Sequence, residues 1–292
     1  MTPVAPRQPF TVPLPDGRSL ELGPRTLVMG IVNVTPDSFA DAGERLDPEV
    51  AIRDAMSMIE QGADLIDLGG ESTRPGAAPL DADEELRRVT PVLEGLRGRA
   101  RVPISIDTYK AVVAARALEL GATIVNDVSA LANDADMASL VARRRAAVIL
   151  MHTRGRSGDM YARAEYGDVV AEVRQELGRR VDAARAAGIA RDRIIVDPGF
   201  GFAKRAGHSF AVLAGLPALA ALGAPILAGP SRKSFLTQAV GERPPAERVW
   251  ATAAAVTAAV LLGAHIVRVH DVARMVDVVR TADAIRKAGG TR

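Results

Sequence analysis

Cysteine is absent from the 292 residues of this chain. The absence excludes disulfide bonds and thiolate metal sites, and it fits a cytoplasmic protein. Aromatic residues are also scarce, at 3% of the chain, although hydrophobic residues make up 48%. A large core is therefore possible, but it has to be built from aliphatic side chains and alanine.

An excess of one charge is missing as well, since 37 Lys and Arg residues stand against 35 Asp and Glu residues. No dense basic tract with interleaved aromatic residues occurs, so nucleic acid is not an expected partner. The longest apolar run, Ala251–Ala264, is too short and too rich in alanine to cross a bilayer, so no membrane partner is expected. The first ten residues carry prolines where a signal peptide needs an apolar core.

Short apolar runs and amphipathic stretches alternate from Leu27 onward. The apolar runs predict eight strands, at Leu27–Val32, Asp64–Leu68, Pro103–Ile106, Thr123–Val125, Ala147–Met151, Arg193–Val196, Pro225–Ala228 and His265–Val269. The stretches between them predict eight helices, at Pro48–Gln61, Ala82–Leu96, Lys110–Leu120, Ala135–Arg145, Tyr166–Ala187, Phe210–Leu222, Arg248–Leu262 and Val272–Lys287. About eight β–α units in a row are typical of an α/β protein with a single (β/α)8 TIM barrel. A doubly wound open sheet is the competing fold, but no G-x-G-x-x-G follows the first strand.

The segment before the barrel has a different pattern. Phe10–Leu22 alternates around Asp16-Gly17, which predicts a β-hairpin. We interpret it as a lid over one end of the barrel, without chemistry of its own. The predicted organisation is an N-terminal extension with the hairpin, residues 1–25, followed by the barrel, residues 26–292.

Polar residues stand at the end of almost every predicted strand. They are Asn33, the loop Gly69–Pro75, Asp107, Asn126-Asp127, His152, Asp197, the loop Gly229–Lys233, and Arg268 with His270. The carboxyl ends of barrel strands converge on one mouth, so we expect these groups to meet there. Polar groups lose hydration in such a place and need partners or a ligand. The alternative is that they satisfy one another internally.

The charges of these residues divide the predicted mouth into two sides. Asp107, Asn126 and Asp197 offer acceptors and an amide, which suits a heterocycle edge with adjacent N–H donors. Each Asp alone is also a common cap for the loop after it. The cationic side comprises Arg232, Lys233, Arg268 and His270 and belongs to strands seven and eight, whose loops often bind phosphate in this fold.

The few histidines suggest no tight metal site. Without cysteine or a His-x-x-x-His pair, a tightly held zinc ion is not expected at His152 or His270. A phosphate-bearing substrate beside Asn33 instead suits a loosely held Mg²⁺, which keeps several waters. His208 and His265 are interpreted as ordinary loop and strand-start residues.

Long motifs in order along the chain carry a family resemblance. They are MGIVNVTPDSF (Met29–Phe39), DLGGESTRPGA (Asp67–Ala77), SIDT (Ser105–Thr108), VNDVS (Val125–Ser129), DPGFGFAK (Asp197–Lys204), GPSRKSF (Gly229–Phe235) and RVHD (Arg268–Asp271). The chain resembles the dihydropteroate synthase family of pterin-binding TIM barrels from Leu27 to about Val279. The resemblance implies condensation of a dihydropterin hydroxymethyl diphosphate with p-aminobenzoate, releasing pyrophosphate.

The resemblance also implies roles for individual residues. It places the pterin against Asp107, Asn126, Met151, Asp197 and Lys233. It places the diphosphate against Thr73, Arg268, Val269, His270 and a Mg²⁺ held by Asn33. It places p-aminobenzoate against Phe39, Thr73, Arg74, Pro75, Phe202, Lys233 and Ser234. The implied catalytic residues are Asp107, Asp197, Lys233, Arg268 and His270.

The resemblance implies three further properties. The Thr35–Phe39 and Ser72–Gly76 loops are expected to close over the site and exclude water. Sulfonamides are expected to compete with p-aminobenzoate. A homodimer is expected through Ala251–Ala264, although a buried core helix explains that run equally well.

Two other functions compete with this one. A pterin-binding methyltransferase domain shares the Asp and Asn pocket but does not need a diphosphate site. Three segments argue against it: Ser231–Lys233, Arg268–His270 and the Ser72–Pro75 loop. A non-catalytic pterin-binding paralogue is expected to have lost some of the matched residues, and none of them departs from the family pattern.

Overall fold

The computed structural model describes residues 7–35, 47–72 and 76–289. Its first elements are strands β1 (Phe10–Pro13) and β2 (Ser19–Leu22), which pair antiparallel with Phe10 opposite Leu22. Gly17 adopts a φ of 86° in the connecting turn, a left-handed conformation that glycine enters without steric cost. The predicted hairpin is confirmed.

Eight parallel strands form the barrel. They are β3 (Leu27–Asn33), β4 (Leu65–Gly69), β5 (Ile104–Asp107), β6 (Ile124–Asp127), β7 (Ala147–Met151), β8 (Ile194–Asp197), β9 (Leu227–Ala228) and β10 (Ile266–Val269). The sheet runs in the order β8-β7-β6-β5-β4-β3-β10-β9, and a parallel bridge from Val196 to Ile226 joins its two edges. The strands are buried on both faces, as their largely aliphatic sequences predict. The (β/α)8 barrel is confirmed.

Helices follow the barrel strands on the outside. The described helices are α1 (Pro48–Glu60), α2 (Ala82–Leu96), α3 (Ala111–Glu119), α4 (Met137–Arg144), α5 (Val169–Ala186), α6 (Ala206–Ala214), α7 (Thr237–Val240), α8 (Val249–Leu261) and α9 (Val272–Gly289). Aspartate side chains cap three of them: Asp47 accepts from Glu49 N, Asp81 from Glu84 N, and Asp168 from Val170 N and Ala171 N. None of the described helices is long and apolar enough to cross a membrane.

Two predicted helices have wrong bounds. The helix predicted from Tyr166 begins at Val169, because Asp168 is extended and caps it. The helix predicted at Phe210–Leu222 begins earlier, at Ala206, and ends at Ala214. A 3-10 segment continues from Leu216 to Leu222, since Pro217 has no N–H for an α-helical ladder. His208 therefore lies in α6 rather than in a loop.

The hairpin covers the amino-terminal end of the barrel. Its side chains Val12, Leu14, Leu20 and Leu22 are buried in one cluster with the interior residues of the strand starts. Those residues include Leu27, Met29, Leu65, Ile124, Ile149, Ile195 and Ile266. A second, larger cluster lies between the strands and the helices. With one end closed by the hairpin, the opposite, carboxyl-terminal end is the open mouth.

Candidate active site

A cavity of about 390 Å³ lies at the carboxyl-terminal ends of the barrel strands. Seven of the predicted site residues line it: Asn33, Asp107, Phe202, Lys233, Ser234, Arg268 and His270. They come from β3, β5, β10 and the loops after β8 and β9, as the predicted convergence on one mouth requires. The roles that the resemblance gives them stay predictions.

A buried ion-pair network lies inside the mouth. The Arg268 guanidinium donates from Nε to Asp67 Oδ2 at 2.6 Å and from Nη2 to Asp107 Oδ2 at 2.8 Å. Asn126 Nδ2 donates to the same Asp67 oxygen at 3.0 Å. The predicted division into an acidic and a cationic side is therefore wrong for Arg268, which lies between two carboxylates. A buried carboxylate needs a countercharge, and Arg268 supplies one to both.

Asp67 belongs to the site although the sequence pattern at strand ends does not point to it. It is fully buried in the middle of β4, between Ile66 and Leu68. The signal for it is an acid inside an otherwise apolar strand, which is rare unless the acid has a partner. Polar residues at strand ends indicate the mouth, but they do not reveal Asp67, which lies within a strand.

Two carboxylate oxygens in this network stand out. Oδ1 of Asp67 and Oδ1 of Asp107 are buried and accept no hydrogen bond from any residue that the structure describes. Burial raises the pKa of Asp107 to about 7; Arg268 opposes that rise and Asp67 adds to it. Buried acceptors without donors are costly, so these oxygens suit a ligand that carries N–H groups.

The next acid around the barrel faces a lysine. Asp197 Oδ1 accepts from Gly199 N at 2.7 Å, and burial raises the pKa of Asp197 against the attraction of Lys233. Burial in turn lowers the pKa of Lys233 to about 8, although Asp197 opposes that shift. The Lys233 ammonium lies 4.0 Å from the centroid of the Phe202 ring. The ammonium therefore lies over an aromatic face and is attracted by the Asp197 carboxylate.

A serine orients the last histidine of the barrel. Ser231 Oγ lies 3.0 Å from His270 Nδ1 and accepts from His270 N at 3.2 Å. The Ser231 loop is itself fixed from α8 and the turn before it, because Arg232 N donates to Thr252 Oγ1 and Arg248 donates to Arg232 O. Arg232 has a φ of 58°, a left-handed conformation held by these contacts.

Some predicted residues lie beside the cavity rather than on its wall. Asn126 reaches it through Asp67. Met151 is paired in register with Asp197 and borders a neighbouring cavity of about 330 Å³. The Val269 side chain is buried in the cluster between strands and helices, so only its backbone is near the mouth. Outside the described residues lie Phe39, Thr73, Arg74 and Pro75, with most of the two loops predicted to close.

Two polar strand ends do not face the mouth, contrary to prediction. His152 Nδ1 lies 2.8 Å from Lys204 Nζ, and its Nε2 lies 2.9 Å from Glu176 on α5. Asp127 instead caps its own loop by accepting from Ser129 N at 2.7 Å. The reason is the alternation of a strand: residues next to an inward-facing one point outward.

Metal-ligand chemistry is limited at this mouth. Within residues 7–35, 47–72 and 76–289, no group of three or more His, Cys, Asp and Glu side chains is placed to hold a metal. Asn33, whose side-chain amide offers one oxygen ligand, lines the cavity beside the end of β10, which carries Arg268. One hard oxygen ligand fits a Mg²⁺ that takes its other ligands from a substrate and water.

Comparisons with known proteins agree with this geometry. A sequence model of the family described as "Pterin binding enzyme" matches residues 29–270. Dihydropteroate synthase from Synechocystis is 47% identical over 264 residues, covering 90% of this chain and 91% of that protein. Xanthomonas albilineans dihydropteroate synthase with 4-aminobenzoic acid is 45% identical with a TM-score of 0.88, covering 94% and 99% of the two chains. The Yersinia pestis enzyme in a sulfonamide drug complex is 39% identical with a TM-score of 0.89, covering 96% and 100%.

Proposed function

The chain belongs to the pterin binding enzyme family, among its dihydropteroate synthases, and we propose that the residues of the described cavity divide the steps of that reaction among themselves. The reaction is a transfer in folate biosynthesis. It joins 6-hydroxymethyl-7,8-dihydropterin diphosphate to p-aminobenzoate, giving 7,8-dihydropteroate and pyrophosphate. The observation that carries the division is the meeting of Asp107, Lys233, Arg268 and Asn33 at one cavity.

The pterin ring is assigned to the acidic part of the mouth. Its amino and ring N–H groups suit the carboxylates of Asp107 and Asp197, and Asp107 Oδ1 is a buried acceptor without a described donor. Asn126 and Lys233 add an amide and a cation at the same edge. Met151, in register with Asp197, is assigned to the face of the ring. Support for the assignment comes from the burial of both acids.

The diphosphate is assigned to the ends of β3 and β10. Arg268 and His270 would donate to its oxygens, the latter oriented by Ser231, and Val269 would contribute only its backbone. Thr73 belongs to the same predicted set but lies outside the described residues. Asn33 would hold Mg²⁺, which when bound neutralises charge on pyrophosphate as it leaves.

The aminobenzoate is assigned to the outer part of the cavity, beside Phe202, Lys233 and Ser234. Phe39, Arg74 and Pro75 complete the predicted set outside the described residues. The amine nitrogen forms a bond to the pterin methylene carbon, the carbon–oxygen bond to the diphosphate breaks, and the nitrogen loses a proton. An aryl amine is already nucleophilic, so Arg268 and His270 contribute mainly by stabilising the charge on the departing group.

The competing functions explain the geometry less well. A methyltransferase domain needs no anion site, yet Ser231 fixes His270 and Arg268 is buried at the same mouth. A non-catalytic paralogue is expected to have lost some of the matched residues, yet Asn33, Arg268 and His270, which are assigned to the diphosphate, all line the cavity. Since the similar Yersinia pestis protein was captured with a sulfonamide drug, we also expect sulfonamides to compete with p-aminobenzoate here. Turnover that a large excess of sulfonamide leaves unchanged would refute that.

The homodimer stays a proposal. It is supported by two large apolar side chains on the packed pair α8 and α9: Trp250 is 77% exposed and Ile285 is 50% exposed. Aromatic side chains such as tryptophan are enriched at protein–protein interfaces. A monomer in sedimentation at micromolar concentration would contradict the proposal. A cytoplasmic location likewise stays a prediction.

The experiment is an assay of pyrophosphate release from the protein, the pterin diphosphate and Mg²⁺, with and without p-aminobenzoate. We expect release that requires the amine and that Asp107→Asn abolishes. Asp182→Asn makes the same chemical change at a side chain that is 77% exposed on α5 and should leave the rate unchanged. Release that is independent of the amine would contradict the function.

A further inference from the structure

A buried lysine ends the loop after β8. The Lys204 residue is 1% exposed. Its Nζ lies 2.8 Å from Nδ1 of His152 and 3.0 and 3.1 Å from the carbonyl oxygens of Phe202 and Gly199. The carbonyl oxygen of His152 lies 3.3 Å away. An ammonium donates three hydrogen bonds, so these four acceptors satisfy it without water.

Two carboxylates favour the charged form of this lysine: Asp197 and, on the far side of His152, Glu176. His152 Nδ1 accepts from Lys204, so Nε2 is the donor to Glu176 at 2.9 Å. Arg154 also binds Glu176. Burial lowers the pKa of His152 to about 4, so the ring between Lys204 and Glu176 is neutral. Burial also lowers the pKa of Lys204 to about 7, and Asp197 opposes that shift.

The loop that surrounds the ammonium has an unusual backbone. Three of its residues have left-handed φ values: Gly199 at 66°, Gly201 at 78° and Ala203 at 48°. They alternate with residues of ordinary φ, so the chain winds round the Lys204 side chain. A non-glycine residue stays in this region only where its surroundings hold it. Lys204 holds the carbonyls of Gly199 and Phe202, and the Tyr166 hydroxyl donates to the carbonyl of Ala203 at 2.9 Å.

The same loop carries groups of the cavity. Phe202 lines the cavity with its ring 4.0 Å from Lys233 Nζ, and Gly199 N donates to Asp197. We propose that Lys204 is a positioning residue of the synthase reaction: through the carbonyls of Gly199 and Phe202 it fixes the Phe202 ring beside Lys233, on the aminobenzoate side of the site. The inference rests on the proposed function.

The first test is Lys204→Met, which keeps the length of the side chain and removes the ammonium. We expect KM for p-aminobenzoate to rise about tenfold, with kcat within about threefold of wild type, because unsatisfied carbonyls release the loop. Val173→Ala is the control, since it removes buried volume from α5, outside the loop. It should lower stability and leave KM unchanged.

The second test uses the absence of cysteine. Lys204→Cys would carry the only thiol, which can be alkylated in denaturant with bromoethylamine or, as a neutral isostere, with iodopropane, and then refolded. The aminoethyl adduct should return KM to within about twofold of wild type, and the propyl adduct should not. Equal recovery with both adducts would overturn the proposal, because volume alone would then suffice.

The remaining outcomes are also decisive. An unchanged KM in Lys204→Met would overturn the proposal, and so would a propyl adduct that alone fails to refold, since the ammonium would then serve stability. Hydrogen exchange of the amides at Gly199–Ala203 needs no turnover. Faster exchange there in Lys204→Met supports the positioning role, and unchanged exchange overturns it. A wild-type protein without amine-dependent pyrophosphate release would instead contradict the proposed function.

Discussion

Asp67 is the residue through which the site network can be tested most sharply. Asp67→Asn keeps the shape of the side chain and removes its charge. The Oδ2 atom of Asp67 accepts from both Arg268 Nε and Asn126 Nδ2. An amide oxygen in its place could still accept both bonds, but without the negative charge that pairs with the guanidinium. The variant therefore leaves a buried guanidinium with Asp107 as its remaining carboxylate partner.

The size of the effect is set by that loss. Removing one partner of a buried ion pair costs about 3–5 kcal/mol. Arg268 keeps Asp107 and a side chain that is 19% exposed, so we expect a smaller loss in the free energy of unfolding, about 2 kcal/mol. The loss of this carboxylate partner should also shift Arg268 and Asp107 in the cavity. We therefore expect kcat/KM to fall roughly 30-fold, the equivalent of about 2 kcal/mol.

Urea unfolding followed by circular dichroism measures the stability, and pyrophosphate release measures kcat/KM. Glu119→Gln is the control, because it makes a similar change in an exposed ion pair with Arg144 and should cost less than about 1 kcal/mol. An Asp67→Asn protein that matches wild type in both measurements would refute the account of the network.

Lys233, Asp107 and Gly199 offer three more tests of the site. Lys233→Ala should weaken pterin binding at least tenfold in calorimetry while the circular dichroism spectrum stays unchanged; normal binding would remove Lys233 from the site. The pKa of Asp107 is about 7 in the folded protein and 3.8 in the unfolded chain, so the free energy of unfolding should fall as the pH rises between those values. Over the same range kcat/KM should rise. Asp107→Asn should flatten that stability slope, and an identical slope would count against the assignment. Gly199→Ala should lower the free energy of unfolding, measured in urea, by about 3 kcal/mol, because its Cβ would lie 2.2 Å from His152 O at a φ of 66°. Gly207→Ala in α6 is the control, since its Cβ would meet nothing within 4 Å.

The barrel was predictable because its strands are buried on both faces. Ala147–Met151 matches its prediction, and other strands differ by only one or two residues. The α2 helix also matches, since Asp81 and the acids after it mark its start. The prediction of one helix at Phe210–Leu222 was wrong because the apolar periodicity runs unbroken through Pro217. The α-helix cannot continue through this proline, which has no backbone N–H.

The site was predictable in its location but not in all its contacts. Motifs at strand ends identify the mouth, yet the pleat decides which side chains enter it: Arg268 faces inward and Val269 does not. Asp67 pairs with Arg268 across 201 positions of sequence, a contact that only the closed barrel creates. Lys204 ends a recognised motif, but its carbonyl partners depend on left-handed backbone that spacing does not reveal.

A crystal structure with the dihydropterin diphosphate bound tests directly where the pterin ring and the diphosphate lie. We expect the N–H edge of the pterin ring within hydrogen-bonding distance of Asp107 and Asp197, and the diphosphate beside Asn33 and His270. A ligand bound away from the mouth, or a ring turned so that its N–H edge faces solvent, would contradict this expectation.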